Sequence, residues 1–167
     1  MRLFIALNFD EGLKEVINEL QVYLKEHKVK GRYVPLDNMH LTLSFIGEYD
    51  NAEKIMDIMD EIDIPDINLS LDNCGNFGDI FWLGIKENKE LNDYVYKLRR
   101  RLIKEGIDID KKKFKPHITL IRKCEFTEDV TVNIPSYSMK VKGVSLMKSE
   151  FTDNGVRYTE LYFKEAV

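Results

Sequence analysis

His40-Leu41-Thr42-Leu43 recurs as His117-Ile118-Thr119-Leu120 in a chain of 167 residues. The separation, 117 − 40 = 77 residues, is close to half the chain. Both copies have a basic or proline-containing approach, Arg32-Tyr33-Val34-Pro35 before the first and Phe114-Lys115-Pro116 before the second. A period this long, repeated twice, implies two lobes with one copy in each, not a solenoid. Side chains alternate faces along a strand. Strict alternation puts His40, Thr42 and Ser44 on one face and Leu41, Leu43 and Phe45 on the other. In the second copy His117 and Thr119 lie opposite Ile118 and Leu120. The apolar faces are expected to pack on helices, and the polar faces to meet across a cleft.

Helices are predicted at three places around these strands. From Asp10 to about His27, Leu13, Val16, Ile17, Leu20, Tyr23 and Leu24 recur at helical spacing, with Asp10 as N-cap and Gly31 just past the end. A second helix is expected over 51–61, with Ile55, Ile58, Met59 and Ile62 inward. A third is expected over 89–105, striped by Leu91, Tyr94, Val95, Leu98, Leu102 and Ile103, with Asn88 and Gly106 as caps. Strands are expected at Arg2–Leu7, His40–Ile46, Ile67–Asn73, Ile80–Ile85, His117–Ile121, Val130–Ile134, Ser138–Glu150 and Arg157–Lys164. Gly143 should bend the long Ser138–Glu150 stretch, and Asp153-Asn154-Gly155 should turn a hairpin between the last two strands. Hairpins outnumber βαβ units, so the fold class is α+β with mainly antiparallel sheet.

Composition removes several function classes. Nine Phe, eight Tyr and one Trp exclude a disordered chain. No run of 18 apolar residues occurs, and the short apolar start, closed by Asp10 and Glu11, reads as a strand and not as a signal peptide. Cys74 and Cys124 form neither a disulfide framework nor a CxxC pair, which points to a reducing, cytoplasmic setting. Cys74 is expected in a turn, 72–76, without a histidine to activate it. The net charge of −4 argues against broad binding to long nucleic acid. The basic runs 99–101 and 111–113, with Lys115 beyond, are expected to be solvated.

Two imidazoles near neutral pKa can serve as one acid and one base. A neighbouring threonine hydroxyl can hold a phosphoryl oxygen without adding charge. Two histidines and two threonines around one tetrahedral anion suit in-line displacement at phosphorus. His27, among Lys25, Glu26 and Lys28, is expected to be solvated, and no carboxylate cluster accompanies the motif histidines. The scatter of Asp57, Asp60, Glu61, Asp63 and Asp66 reads as a solvated face. No metal and no cofactor are therefore expected, and no nucleotide-binding glycine motif is present.

The chain resembles the 2H phosphoesterase superfamily, whose signature is two H-x-T-hydrophobic motifs. It looks most like the RNA 2′,3′-cyclic phosphodiesterases, historically called 2′-5′ RNA ligases. The likeness extends to the opening strand Arg2–Leu7, to Asn38-Met39-His40-Leu41-Thr42-Leu43-Ser44-Phe45-Ile46-Gly47, and to Phe114-Lys115-Pro116-His117-Ile118-Thr119-Leu120-Ile121-Arg122. The resemblance implies a single 2H domain over 1–167, bilobal and pseudo-twofold, with a central cleft. It implies metal-independent hydrolysis of a ribose 2′,3′-cyclic phosphate on RNA ends or small nucleotides to a 2′-phosphomonoester. It also implies His40 as proton donor to the leaving oxygen, His117 as the base that activates water, and Thr42, Thr119 and Arg122 as phosphate ligands.

Strict alternation turns Arg122 away from His117, so it needs a strand end, a bulge or a long reach. Tyr33 and Phe9 are candidates to stack on an unpaired base. End-joining to a 5′-hydroxyl is the same chemistry in reverse. A non-catalytic RNA-end or nucleotide-binding module is the rival class, but binding alone does not need two titratable rings. Neither a membrane nor a stable protein partner is expected.

Overall fold

The chain runs β1 (Arg2–Asn8), α1 (Glu11–Glu26), β2 (Lys30–Tyr33), a short 3₁₀ turn (Leu36–Asn38), β3 (His40–Glu48), α2 (Ala52–Glu61) and β4 (Asn68–Phe77). It continues through β5 (Ile80–Ile85), α3 (Lys89–Lys104), β6 (His117–Glu125), β7 (Ser138–Lys140), β8 (Gly143–Thr152) and β9 (Gly155–Glu165). The computed structural model describes residues 1–125 and 131–167. The strands form two sheets, ordered β3-β1-β8-β9 and β2-β6-β5-β4-β7, and every described pairing is antiparallel. The α+β class expected from the pattern is what forms.

The duplication extends beyond the two tetrapeptides. Strand β1, helix α1 and strand β3 in one sheet match β5, α3 and β6 in the other, and each motif strand pairs with the strand that precedes its helix. Both helices have 16 residues, and their caps, Asp10 and Asn88, stand 88 − 10 = 78 apart. Each cap accepts from a backbone N–H three residues on, Leu13 at 2.8 Å and Leu91 at 2.9 Å. The inward stripes Leu13, Ile17, Leu20, Leu24 and Leu91, Tyr94, Val95, Leu98, Leu102 are buried. Burying such a side chain contributes about 1.5–3 kcal/mol.

Several expectations need correction. Ile103 closes the α3 stripe in the sequence but is exposed, and Ile62 is only half-buried. Strand β2 lies outside the expected strands, since Lys-Gly-Arg-Tyr has no apolar alternation; pairing with β6 makes it a strand. Gly31 belongs to β2 and does not cap α1: a Cβ there would sit 2.5 Å from Ile121, so only glycine allows the approach. Cys74 lies in β4, not in a turn, because β4 runs on to Phe77 and the reversal comes at Gly78-Asp79. Ser138–Glu150 is two strands, β7 and β8, broken before Gly143. Residues 131–134 form no strand, and Val130 lies outside the described residues. The β8–β9 hairpin turns on Asp153-Asn154 as expected, with Gly155 at φ 107°.

Candidate active site

His40 opens β3 and His117 opens β6, and both line one cleft of about 630 Å³. The two rings share one anchoring contact. His40 Nδ1 lies 2.8 Å from the carbonyl of Asn38, and His117 Nδ1 lies 2.6 Å from the carbonyl of Lys115, each two residues upstream. A carbonyl only accepts, so each Nδ1 carries a hydrogen and each Nε2 is the nitrogen free for chemistry. In the neutral ring His40 Nε2 accepts from the Thr42 hydroxyl, 3.0 Å away. Thr42 and Thr119 line the cleft beside their histidines.

A bulge immediately after each threonine changes the faces. In the β1–β3 ladder Ile5 pairs with Ser44 and Ala6 with Thr42, leaving Leu43 as the extra residue. In the β5–β6 ladder Phe81 pairs with Ile121 and Trp82 with Thr119, leaving Leu120 extra. An inserted residue inverts the alternation beyond it. Arg122 therefore enters the cleft, where strict alternation would have turned it out. At the equivalent place in the first copy Phe45 lines the cleft, while Ser44 is fully buried, the reverse of the expected faces.

Each bulge is braced by the helix of the other repeat. The Leu120 carbonyl accepts from Gln21 Nε2 of α1 at 3.1 Å, and the Leu43 carbonyl accepts from Arg99 Nε of α3 at 3.0 Å. Gln21 also donates to the Val34 carbonyl at 2.9 Å, and Arg99 to the Lys112 carbonyl at 2.8 Å. These two polar side chains also stand 99 − 21 = 78 apart. Gln21 is buried and Arg99 half-buried, so the expectation that the 99–101 run is solvated fails at Arg99. It fails at Arg101 too, which pairs with Glu61 and Glu105.

The surroundings of the two rings differ. His40 sits between Phe4, 4.9 Å away, and the edge-on ring of Tyr158, 5.1 Å away. Burial lowers its pKa below the ordinary histidine value, opposed in part by its hydrogen bond to Asn38. His117 meets Phe77 edge-on at 5.2 Å and Trp82 at 6.4 Å. The cleft is strongly cationic: Arg2, Arg32, Lys115 and Arg122 line it, and no Asp or Glu does among the described residues. In a chain of net charge −4 this is a local concentration of positive charge, which favours anions over cations in the cleft.

Of the other candidates, Tyr33 lines the cleft, with its hydroxyl donating to the Val29 carbonyl at 2.7 Å. Phe9 does not line it. At 4% exposure it belongs to the core, because the chain has already turned toward α1. Arg2, Phe4, Arg32, Phe45 and Tyr158 were missed as lining residues; the bulge accounts for Phe45, and the pairing of Arg32 with Arg122 across β2–β6 accounts for Arg32. His27 is exposed and bonded to the Tyr23 carbonyl. Burial pushes the Cys74 thiol up to about 11, unsuited to a nucleophile at neutral pH. Among the described residues no three His, Cys, Asp or Glu side chains gather as metal ligands, and no helix is long and apolar enough to cross a membrane.

The family model described as "LigT like Phosphoesterase" matches residues 7–81 and again 83–158, one motif in each match. The chain belongs to the LigT-like phosphoesterases. Among these phosphoesterases, the RNA 2′,3′-cyclic phosphodiesterase of Escherichia coli K12 is 32% identical over 96% of this chain and 93% of its own. That of Archaeoglobus fulgidus is 30% identical over 96% and 98%. The crystal structure of E. coli LigT in apo form superposes with a TM-score of 0.85 at 30% identity, covering 99% of this chain and 96% of that one. E. coli LigT complexed with 3′-AMP gives a TM-score of 0.83 at 29% identity, with 99% and 97% covered.

Proposed function

We propose that the chain, acting over 1–167 as one two-lobed unit, hydrolyses the 2′,3′-cyclic phosphate of RNA ends or nucleotides to a 2′-phosphomonoester. The observation that carries this reading is the pair of Nε2-presenting histidines in one cationic, carboxylate-free cleft. His117 Nε2 takes a proton from water as its oxygen attacks phosphorus in line. The P–O3′ bond breaks, and His40, protonated at Nε2, gives its proton to O3′. Thr42, Thr119 and Arg122 hold the non-bridging oxygens as charge moves onto them. The histidines and the cations carry the chemistry, so no metal is required. Unpaired Cys74 and Cys124 support a reducing, cytoplasmic setting.

The test is to incubate the protein, with EDTA present, with an RNA ending in a 2′,3′-cyclic phosphate and to identify the product. A 2′-phosphate and a free 3′-hydroxyl are expected, with His40→Ala and His117→Ala each losing about 100-fold or more in kcat. A 3′-phosphate product, turnover restored only by a divalent ion, or a ligated product would each overturn the proposal.

A further inference from the structure

A second groove, of about 920 Å³, adjoins the cleft, and His117 and Lys115 line both. Phe77, Trp82, Tyr96 and Phe114 are its aromatic part; Phe77 and Trp82 have ring centroids 5.0 Å apart, and Phe77 is 43% exposed beside His117. Its cationic part comes from two elements distant in sequence. Helix α3 brings Arg100, and the segment before β6 brings Lys111, Lys113 and Lys115. The basic runs 99–101 and 111–113 thus meet over one groove, although Arg101 is committed to Glu61 and Glu105. With Arg99, five cations line the groove against two carboxylates, Asp72 and Glu87.

We propose that this groove holds the RNA chain on the 5′ side of the reacting nucleotide, so that the preferred substrate is an oligonucleotide end and not a free nucleotide. The inference rests on the cyclic phosphodiesterase reading of the main cleft. When the cyclic phosphate lies between the histidines, the chain leaves through the 5′ oxygen of that nucleotide. Its next phosphate needs a cation and its next base a flat ring, and the groove supplies both starting at His117. Recognition of this kind reads backbone charge and ring faces, so it carries little base preference.

The experiment compares kcat/KM for an RNA hexamer ending in a 2′,3′-cyclic phosphate with that for the matching nucleoside 2′,3′-cyclic phosphate. It uses the wild type and the triple variant Arg100→Glu, Lys111→Glu, Lys113→Glu. All three positions are exposed, and circular dichroism confirms folding. The wild type should prefer the hexamer by about 10-fold or more, a preference the variant loses while its mononucleotide turnover stays within about twofold. The plot of log affinity against log salt should flatten by about 2 for three lost phosphate contacts on a single strand. Equal loss on both substrates, or an unchanged hexamer preference, overturns the inference. If neither substrate is turned over, the phosphodiesterase reading falls. Fluorescence anisotropy of a labelled hexamer ending in a 2′-phosphate then decides the groove alone, and equal affinity of wild type and variant refutes it.

Discussion

A donor must be protonated, yet burial between Phe4 and Tyr158 lowers the proton affinity of His40. The two facts are compatible only if the substrate supplies the proton's stabilisation. Above pH 6.5 the free ring is mostly neutral, with Nε2 accepting from Thr42. A single phosphodiester charge about 4 Å from the ring attracts the imidazolium by about 4 kcal/mol at an effective dielectric of 20, or about a thousandfold in the protonation equilibrium. Binding should therefore draw a proton from solvent, and by linkage the substrate should bind more tightly as pH falls through this range. The measurement is calorimetric titration of His117→Ala with a nucleoside 2′,3′-cyclic phosphate at pH 7, in buffers of different ionisation enthalpy. That variant removes the other titrating ring, and the ligand keeps one charge throughout. An uptake of about half a proton to one proton per site is expected. The double variant with His40→Ala should show none. Uptake near zero, or release, would refute the donor assignment and favour His40 as the base, a role its lowered proton affinity would suit in the free protein.

The braces behind the bulges should matter for both stability and turnover. Gln21→Leu removes two hydrogen bonds and leaves the Val34 carbonyl unpaired by that side chain, a cost of about 2–4 kcal/mol, visible as a fall in the urea midpoint at unchanged slope. kcat should fall further than KM rises, because Thr119 and Arg122 flank the loosened bulge; an unchanged midpoint would remove the brace from the account. The lowered pKa of His40 also has a signed consequence for folding. The unfolded chain binds the proton more readily than the folded one, so stability is full above about pH 6.5 and is lost as pH falls through the lower folded value. Urea midpoints at pH 7 and pH 5 should diverge more for wild type than for His40→Asn, and equal divergence would count against burial as the cause.

The sequence made the scaffold legible because its strongest signals are local. The α1 and α3 stripes, their Asp10 and Asn88 caps and the 153–155 turn each depend on residues within a few positions. What strict periodicity misread was decided by contacts between distant segments. The bulges at Leu43 and Leu120 are invisible in a period-two pattern, and they alone decide whether Ser44 or Phe45, and whether Arg122, faces the cleft. Strand β2 exists only because β6 lies beside it, and Phe9 is core because of where α1 begins. The two basic runs look like solvated charge until the fold sends Arg99 to the Leu43 carbonyl and Arg101 to Glu61.

A duplicated frame also sharpens the question of what makes the two histidines different. The strand start, the upstream carbonyl that fixes the tautomer, the following threonine, the bulge and the brace from the opposite helix all occur twice. None of these can assign one ring as acid and the other as base. The asymmetry must lie in what is not repeated. Beyond the first bulge stands Phe45, with the Arg2 guanidinium 5.1 Å from its ring centroid; beyond the second stands Arg122. His40 is enclosed by Phe4 and Tyr158, whereas His117 borders the exposed Phe77 at the junction of the two grooves. Burial lowers the proton affinity of the enclosed ring, an effect that a bound anion opposes, whereas the open ring borders an exposed aromatic. In the proposed mechanism the frame presents two like nitrogens to one phosphate, and the unequal aromatic walls are the feature that would decide which gives a proton and which takes one.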